Sequence, residues 1–78
     1  MGGRARFRIM SSVVSRVVLE EVGVAYYETE DGYLVYEVDE DEIPDLVGRI
    51  ALWFMEKGGV GDERRAHSYA RVFFMDRW

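Results

Sequence analysis

The stretch Val24 to Asp39, VAYYETEDGYLVYEVD, decides the fold. Asp31-Gly32 is the dipeptide of a two-residue type I′ hairpin turn, in which both central residues take positive φ, and it separates two runs rich in Val and Tyr. Pairing across that turn sets Tyr26 against Glu37, Glu28 against Val35 and Glu30 against Tyr33 on one face. Ala25/Val38, Tyr27/Tyr36 and Thr29/Leu34 share the other face, which is the expected core side.

Upstream, RARFRIM (Arg4 to Met10) alternates arginine with Ala5, Phe7 and Ile9, the pattern of a strand with an apolar inner and a basic outer face. Ser11 or Ser12 then caps a helix through Val22, with Val14, Val18 and Val22 at spacing four and Gly23 at its stop. Its five valines lower intrinsic helicity, so this helix depends on packing. Downstream, Asp39 to Glu42 brings acids to the positive end of a second helix, Pro44 fits its first turn, and Ile43, Leu46, Val47, Ile50, Trp53 and Phe54 form one apolar stripe up to Gly58-Gly59. Gly58 to His67 reads as a polar connection, and Ser68 to Met75 as a last strand with Ala70, Val72 and Phe74 inward.

The expected fold is therefore α+β: a single ferredoxin-like βαββαβ domain over residues 1–78, with strands 4–10, 24–30, 33–39 and 68–75 and helices 12–22 and 42–57. Right-handed crossovers give a four-stranded antiparallel sheet in order 4-1-3-2 with both helices on one face.

Composition bounds the function. A chain of 78 residues buries only about 60 to 65% of its unfolded surface, and with no cysteine it has neither disulfide nor thiolate metal site to add, so self-association is the expected further support. Asn, Gln and Cys are absent and charged residues abundant, which points to a thermophilic source. No run approaches the roughly 18 apolar residues of a membrane helix and no signal segment opens the chain, so a cytoplasmic protein without a membrane partner is expected. The net charge of −5 is segregated: four arginines and no acid in residues 1–16, eleven acids and no base in 17–48, six bases and four acids in 49–78.

Catalytic chemistry finds little to work with. His67 is the sole histidine, the acids of residues 39–45 lack the spacing and central glycine of a calcium loop, and Gly58 to Gly61 lacks the Gly-Lys-Ser/Thr ending of a P-loop. No catalytic residue, cofactor or metal is expected, and the protein is read as non-enzymatic. Attention falls on the sheet face opposite the helices, which the strand parities give to Arg4, Arg6, Arg8, Tyr26, Tyr33, Val35, Tyr69, Arg71, Phe73, Met75 and Arg77. That face suits an assembly module joined to a second copy or a partner protein, with an apolar centre and basic and acidic halves that complement one another across a two-fold. It also suits a single-stranded RNA clamp of arginines and stacking rings, although Arg71-Val72-Phe73-Phe74 does not match the glycine-rich signature of RNA-recognition modules. A third expectation is an ACT-like regulatory domain that binds a small ligand between paired copies.

Val13 to Lys57 resembles the small dimerisation subunit of the KEOPS complex, the CTAG/LAGE-like family. The resemblance lies in the Val-rich first helix, the hairpin ending Gly-Tyr-Leu-Val-Tyr-Glu-Val, the acidic step at Asp39 to Asp41, and a long helix with Leu46, Ile50 and Phe54 on one side. It implies a non-enzymatic subunit that dimerises within a complex making a tRNA threonylcarbamoyl modification. The chain departs from that family in the expected fourth strand after Gly61 and in lacking the polar Asn and Ser positions of the long helix.

Overall fold

A computed structural model describes residues 2–78. In chain order the elements are β1 (Arg4–Met10), α1 (Val13–Glu21), β2 (Tyr26–Glu28), β3 (Tyr33–Asp39), α2 (Ile43–Glu56) and α3 (Glu63–Val72), with one 3-10 turn at Glu40–Glu42. Among the described residues the sheet has three antiparallel strands in the order β1-β3-β2, and the α-helices number three. This corrects the four-stranded, two-helix expectation: residues 63–72, which include most of the expected last strand, are helical.

The reason lies in two periodicities that coexist in one segment. Ala66, Ala70 and Phe73 recur at helical spacing and are buried at 0%, 0% and 3% exposure. Asp62 caps the helix by accepting from Arg64 N–H, with Glu63 in the first turn and Arg71 in the last, where the dipole favours each sign. As a helix the segment buries Phe73, which the strand reading left outside. His67, expected in a loop, sits within α3 with Nδ1 3.1 Å from the Glu63 carbonyl. Where a fourth strand would lie, only the tail Asp76–Trp78 touches β1, through one antiparallel bridge between Phe7 and Arg77.

The hairpin differs too. Tyr26 pairs with Tyr36, Tyr27 with Val35 and Glu28 with Leu34, one residue away from the expected register. Positive φ occurs at Gly32 (+90°) and at no non-glycine among the described residues, so Asp31 does not adopt the conformation a type I′ turn requires. Instead Gly32 N–H donates to Thr29 C=O and Thr29 N–H to Tyr33 C=O, a three-residue loop closed by a left-handed glycine. Thr29 Oγ1 reinforces it, accepting from Tyr33 N–H at 3.1 Å and bonding Asp31. The extra loop residue reverses the parity of β2, which turns Tyr26 toward the core and Tyr27 away from it.

One core joins the layers: Ala5, Phe7, Leu34, Tyr36 and Val38 from the sheet, Val18, Leu19 and Val22 from α1, Leu46, Ile50 and Ala51 from α2, and Ala66, Ala70 and Phe73 from the last helix and its cap. Val14 is not part of it. Ser12 and Ser15 form a capping box at the start of α1, and the buried Ser15 hydroxyl also donates to Met10 C=O, which ties the helix to the end of β1. Tyr36, 2% exposed, donates its hydroxyl to Phe73 C=O at 2.5 Å, while its ring meets Phe7 and Phe74.

Burial, and secondarily the charge of Asp76, raises the Tyr36 hydroxyl pKa well above the ordinary tyrosine value of about 10. The unfolded chain releases this proton first, so the stability it confers is complete below pH about 10 and is lost as pH climbs from there toward the raised folded value. Tyr36→Phe is expected to lower unfolding stability at neutral pH by about 1 to 3 kcal/mol, the cost of a buried carbonyl left unpaired. Denaturant titrations from pH 8 to 11 should also show a shallower alkaline loss in the variant than in the wild type.

Candidate interaction surface

Alternation along β1 sends Ala5 and Phe7 into the core and leaves Arg4, Arg6 and Arg8 on the opposite face of the sheet. In register beside them on β3 stand Asp39, Glu37 and Val35, and beyond Val35 stands Tyr27 of β2. Val35 is 1% exposed yet belongs to no part of the helical core, because it lies between the Arg8 and Tyr27 strand positions. A shallow trough of about 320 Å³ runs past Arg4, Arg6, Tyr27, Val35 and Glu37.

The arginines differ in their partners. Arg4 donates from Nε to Glu37 Oε1 at 3.0 Å and from a terminal nitrogen to Asp39 Oδ1 at 3.3 Å, and the Glu37 bond is the main influence holding its guanidinium in the charged form. Arg8 donates from Nε to Asp76 Oδ2 at 2.9 Å, with its Cζ 4.4 Å from the Tyr33 ring centre and 5.0 Å from that of Trp78. A cation thus sits between two rings, each contact favourable in itself. Arg6 is exposed and forms no ion pair among the described residues.

Of the residues expected on this face, Arg4, Arg6, Arg8, Tyr33 and Val35 come together and the rest do not. Tyr26 turns to the helical side, where its hydroxyl donates to Glu20 at 2.5 Å and that bond raises its pKa. Tyr69 lies on α3, its ring 5.5 Å from that of Phe54; Arg71 is exposed on the same helix; Phe73 is core; and Met75 is 72% exposed in the turn before the tail. Arg77 stands on the core side of the sheet, over the Phe7 ring and 3.6 Å from Glu40. Tyr27, Asp76 and Trp78 are the members that sequence parity missed. The alternation Asp76-Arg77-Trp78 carried a signal for the last two, since in a strand beside β1 it places the acid and the indole together.

A second surface is apolar. Val13, Val14 and Val17 of α1 are 70%, 48% and 42% exposed, and a groove of about 400 Å³ beside them is lined by Ile9, Met10, Val14, Phe54, Tyr69 and Val72. No helix of the described residues is long and apolar enough to cross a membrane, and no group of three or more His, Asp or Glu among them could hold a metal ion.

Arg8→Ala removes the ion pair with Asp76 and the contact with the Trp78 ring, and leaves those of Arg77 with Glu40 and Phe7. Faster hydrogen exchange at Trp78 N–H is the expected outcome, measured by NMR; unchanged protection would show that the backbone bonds and the Arg77 contacts suffice. The chain matches no protein-family model, no curated protein and no solved structure.

Proposed function

We propose that this protein is a non-catalytic assembly module that self-associates through the outward ridge of α1 and the groove beside it. The observation that carries this reading is the exposure of Val13, Val14 and Val17, three β-branched residues that cost helix propensity and bury little in the single chain. Met10, Tyr69 and Val72 extend the same apolar area, 68%, 43% and 46% exposed. Contiguous apolar surface of this kind on a small soluble domain marks a place where another protein sits. The resemblance of residues 13–57 to a dimerising, non-enzymatic subunit supports the same reading.

The sheet face has less support as a self-contact or as an RNA clamp. The register turns Glu28 away from it, the remaining acids Glu37 and Asp39 are paired with Arg4, and Arg4 and Arg8 already face carboxylates that a polyanion would have to displace. Without a field of unpaired cations, binding to phosphates loses its main source of affinity.

Light scattering on the purified chain should return a multiple of the 9.1 kDa chain mass, twice that value for an isologous pair. Val13→Glu combined with Val17→Glu alters exposed positions only, and should return the mass to that of one chain with unchanged circular dichroism. A wild type that stays at one chain mass up to millimolar concentration defeats the proposal.

A further inference from the structure

The outer edge of β1 offers a binding mode separate from the helical ridge. Odd-numbered backbone groups face β3: Glu40 N–H donates to Gly3 C=O and Ser11 N–H donates to Gly32 C=O. Those of Arg4, Arg6, Arg8 and Met10 therefore face the opposite edge. Two of them meet the tail, with Arg8 N–H donating to Asp76 C=O at 3.0 Å and Trp78 N–H donating to Arg6 C=O at 2.9 Å. Ser15 takes Met10 C=O. The N–H of Arg6 and both backbone groups of Arg4 meet no backbone partner among the described residues. Such an edge is a template for an added strand.

The tail shows what kind of strand this edge accepts. Alternate residues of an antiparallel neighbour stand beside Arg8, Arg6 and Arg4 on the open sheet face. Asp76 occupies the first position and pairs with Arg8, and Trp78 occupies the second and stacks on the same guanidinium. Arg6 forms no ion pair among the described residues, because its cross-strand neighbour Glu37 pairs with Arg4. The hold is a sum of individually weak contacts: two backbone bonds, two ion pairs and two cation–ring contacts anchor three residues that are all exposed.

The geometry points to the β1 edge as a strand-addition site for an extended acidic segment of a partner protein, with carboxylates and a ring at alternate positions, for which the tail is the resident competitor. A partner segment running past Arg6 to Arg4 would make the same two backbone bonds, reach the groups of Arg4 and Arg6 that no described residue meets, and set a carboxylate beside Arg6. This stands or falls separately from self-association.

The probe is an acetylated, amidated peptide, Thr-Asp-Val-Asp-Val-Trp-Thr, added to the full isotopically labelled chain and followed by NMR hydrogen exchange. Slower exchange at Arg6 N–H together with faster exchange at Trp78 N–H is the expected result. Trp78→Ala, which weakens the competitor, should bind the peptide about two- to fivefold more tightly, the fold-change for losing one exposed cation–ring contact. A matched peptide with lysine for both aspartates should leave these amides unchanged. Equal binding of the lysine peptide, equal affinity in Trp78→Ala, no change in either chain at millimolar peptide, or shifts confined to the Val14 and Val72 groove would each overturn the inference. So would an oligouridylate that protects the Arg6 amide where the acidic peptide fails.

Discussion

The hydroxyl of Tyr36 makes a buried polar link between the sheet and the end of the last helix. It reaches from the middle strand to the carbonyl of Phe73, one of the last-turn acceptors that a helix leaves without an internal partner, and it does so where water does not compete. That bond, with the edge-on contacts among Phe7, Tyr36 and Phe74, determines where α3 stops against the sheet. The turn that follows, with Phe74 N–H donating to Arg71 C=O, then delivers Asp76 to Trp78 to the edge of β1. The Arg8 site therefore depends on a core hydrogen bond made on the far side of the sheet.

Elements with one-sided chemistry were legible from sequence. In Arg4 to Met10 the arginines can occupy only the solvent parity, and in α2 the stripe through Leu46 and Ile50 has no strand alternative of comparable length. Residues 63–75 were not legible, because Ala70, Val72 and Phe74 satisfy a strand while Ala66, Ala70 and Phe73 satisfy a helix. Tertiary packing breaks the tie: Ala51 on α2 and Ala66 and Ala70 on α3 are all essentially unexposed, and small side chains on both helices permit close approach of their backbones. The hairpin shows a finer limit. Asp-Gly serves both two-residue and three-residue turns, and the Thr29 side chain, by bonding Tyr33 N–H and Asp31, stabilises the longer one. One loop residue then exchanges the faces of Tyr26 and Tyr27, while the helix at residues 63–72 removes Tyr69, Arg71 and Phe73 from the expected site and the arginine column of β1 survives.

Charge that is segregated along the chain is interleaved in space. Acids from the middle segment meet bases from either end at Arg4 with Glu37 and Asp39, Arg16 with Glu28, Lys57 with Glu21, and Arg77 with Glu40. Exposed pairs of this type add little stability one by one, so their effect lies in arrangement. On the open sheet face Glu37, Asp39 and Asp76 offset the three arginines, and Arg6 is left there without an ion pair among the described residues. A surface of that character discriminates among partners by the placement of individual carboxylates rather than by its overall field.

The same separation of fold from surface runs through α1. A helix of nine residues is too short to persist on its own in water and is held by what it buries. Val18, Leu19 and Val22 do that burying, and Ser12 with Ser15 closes its start. Val13, Val14 and Val17 thus add little to the single chain, and alanine, glutamate or lysine in their place would favour the helix more. Apolar residues that the fold does not require, gathered on one ridge of a domain with a small core, are explained by a second surface that covers them; the polar and charged edge at β1 has no part in that requirement and is open to a different kind of contact.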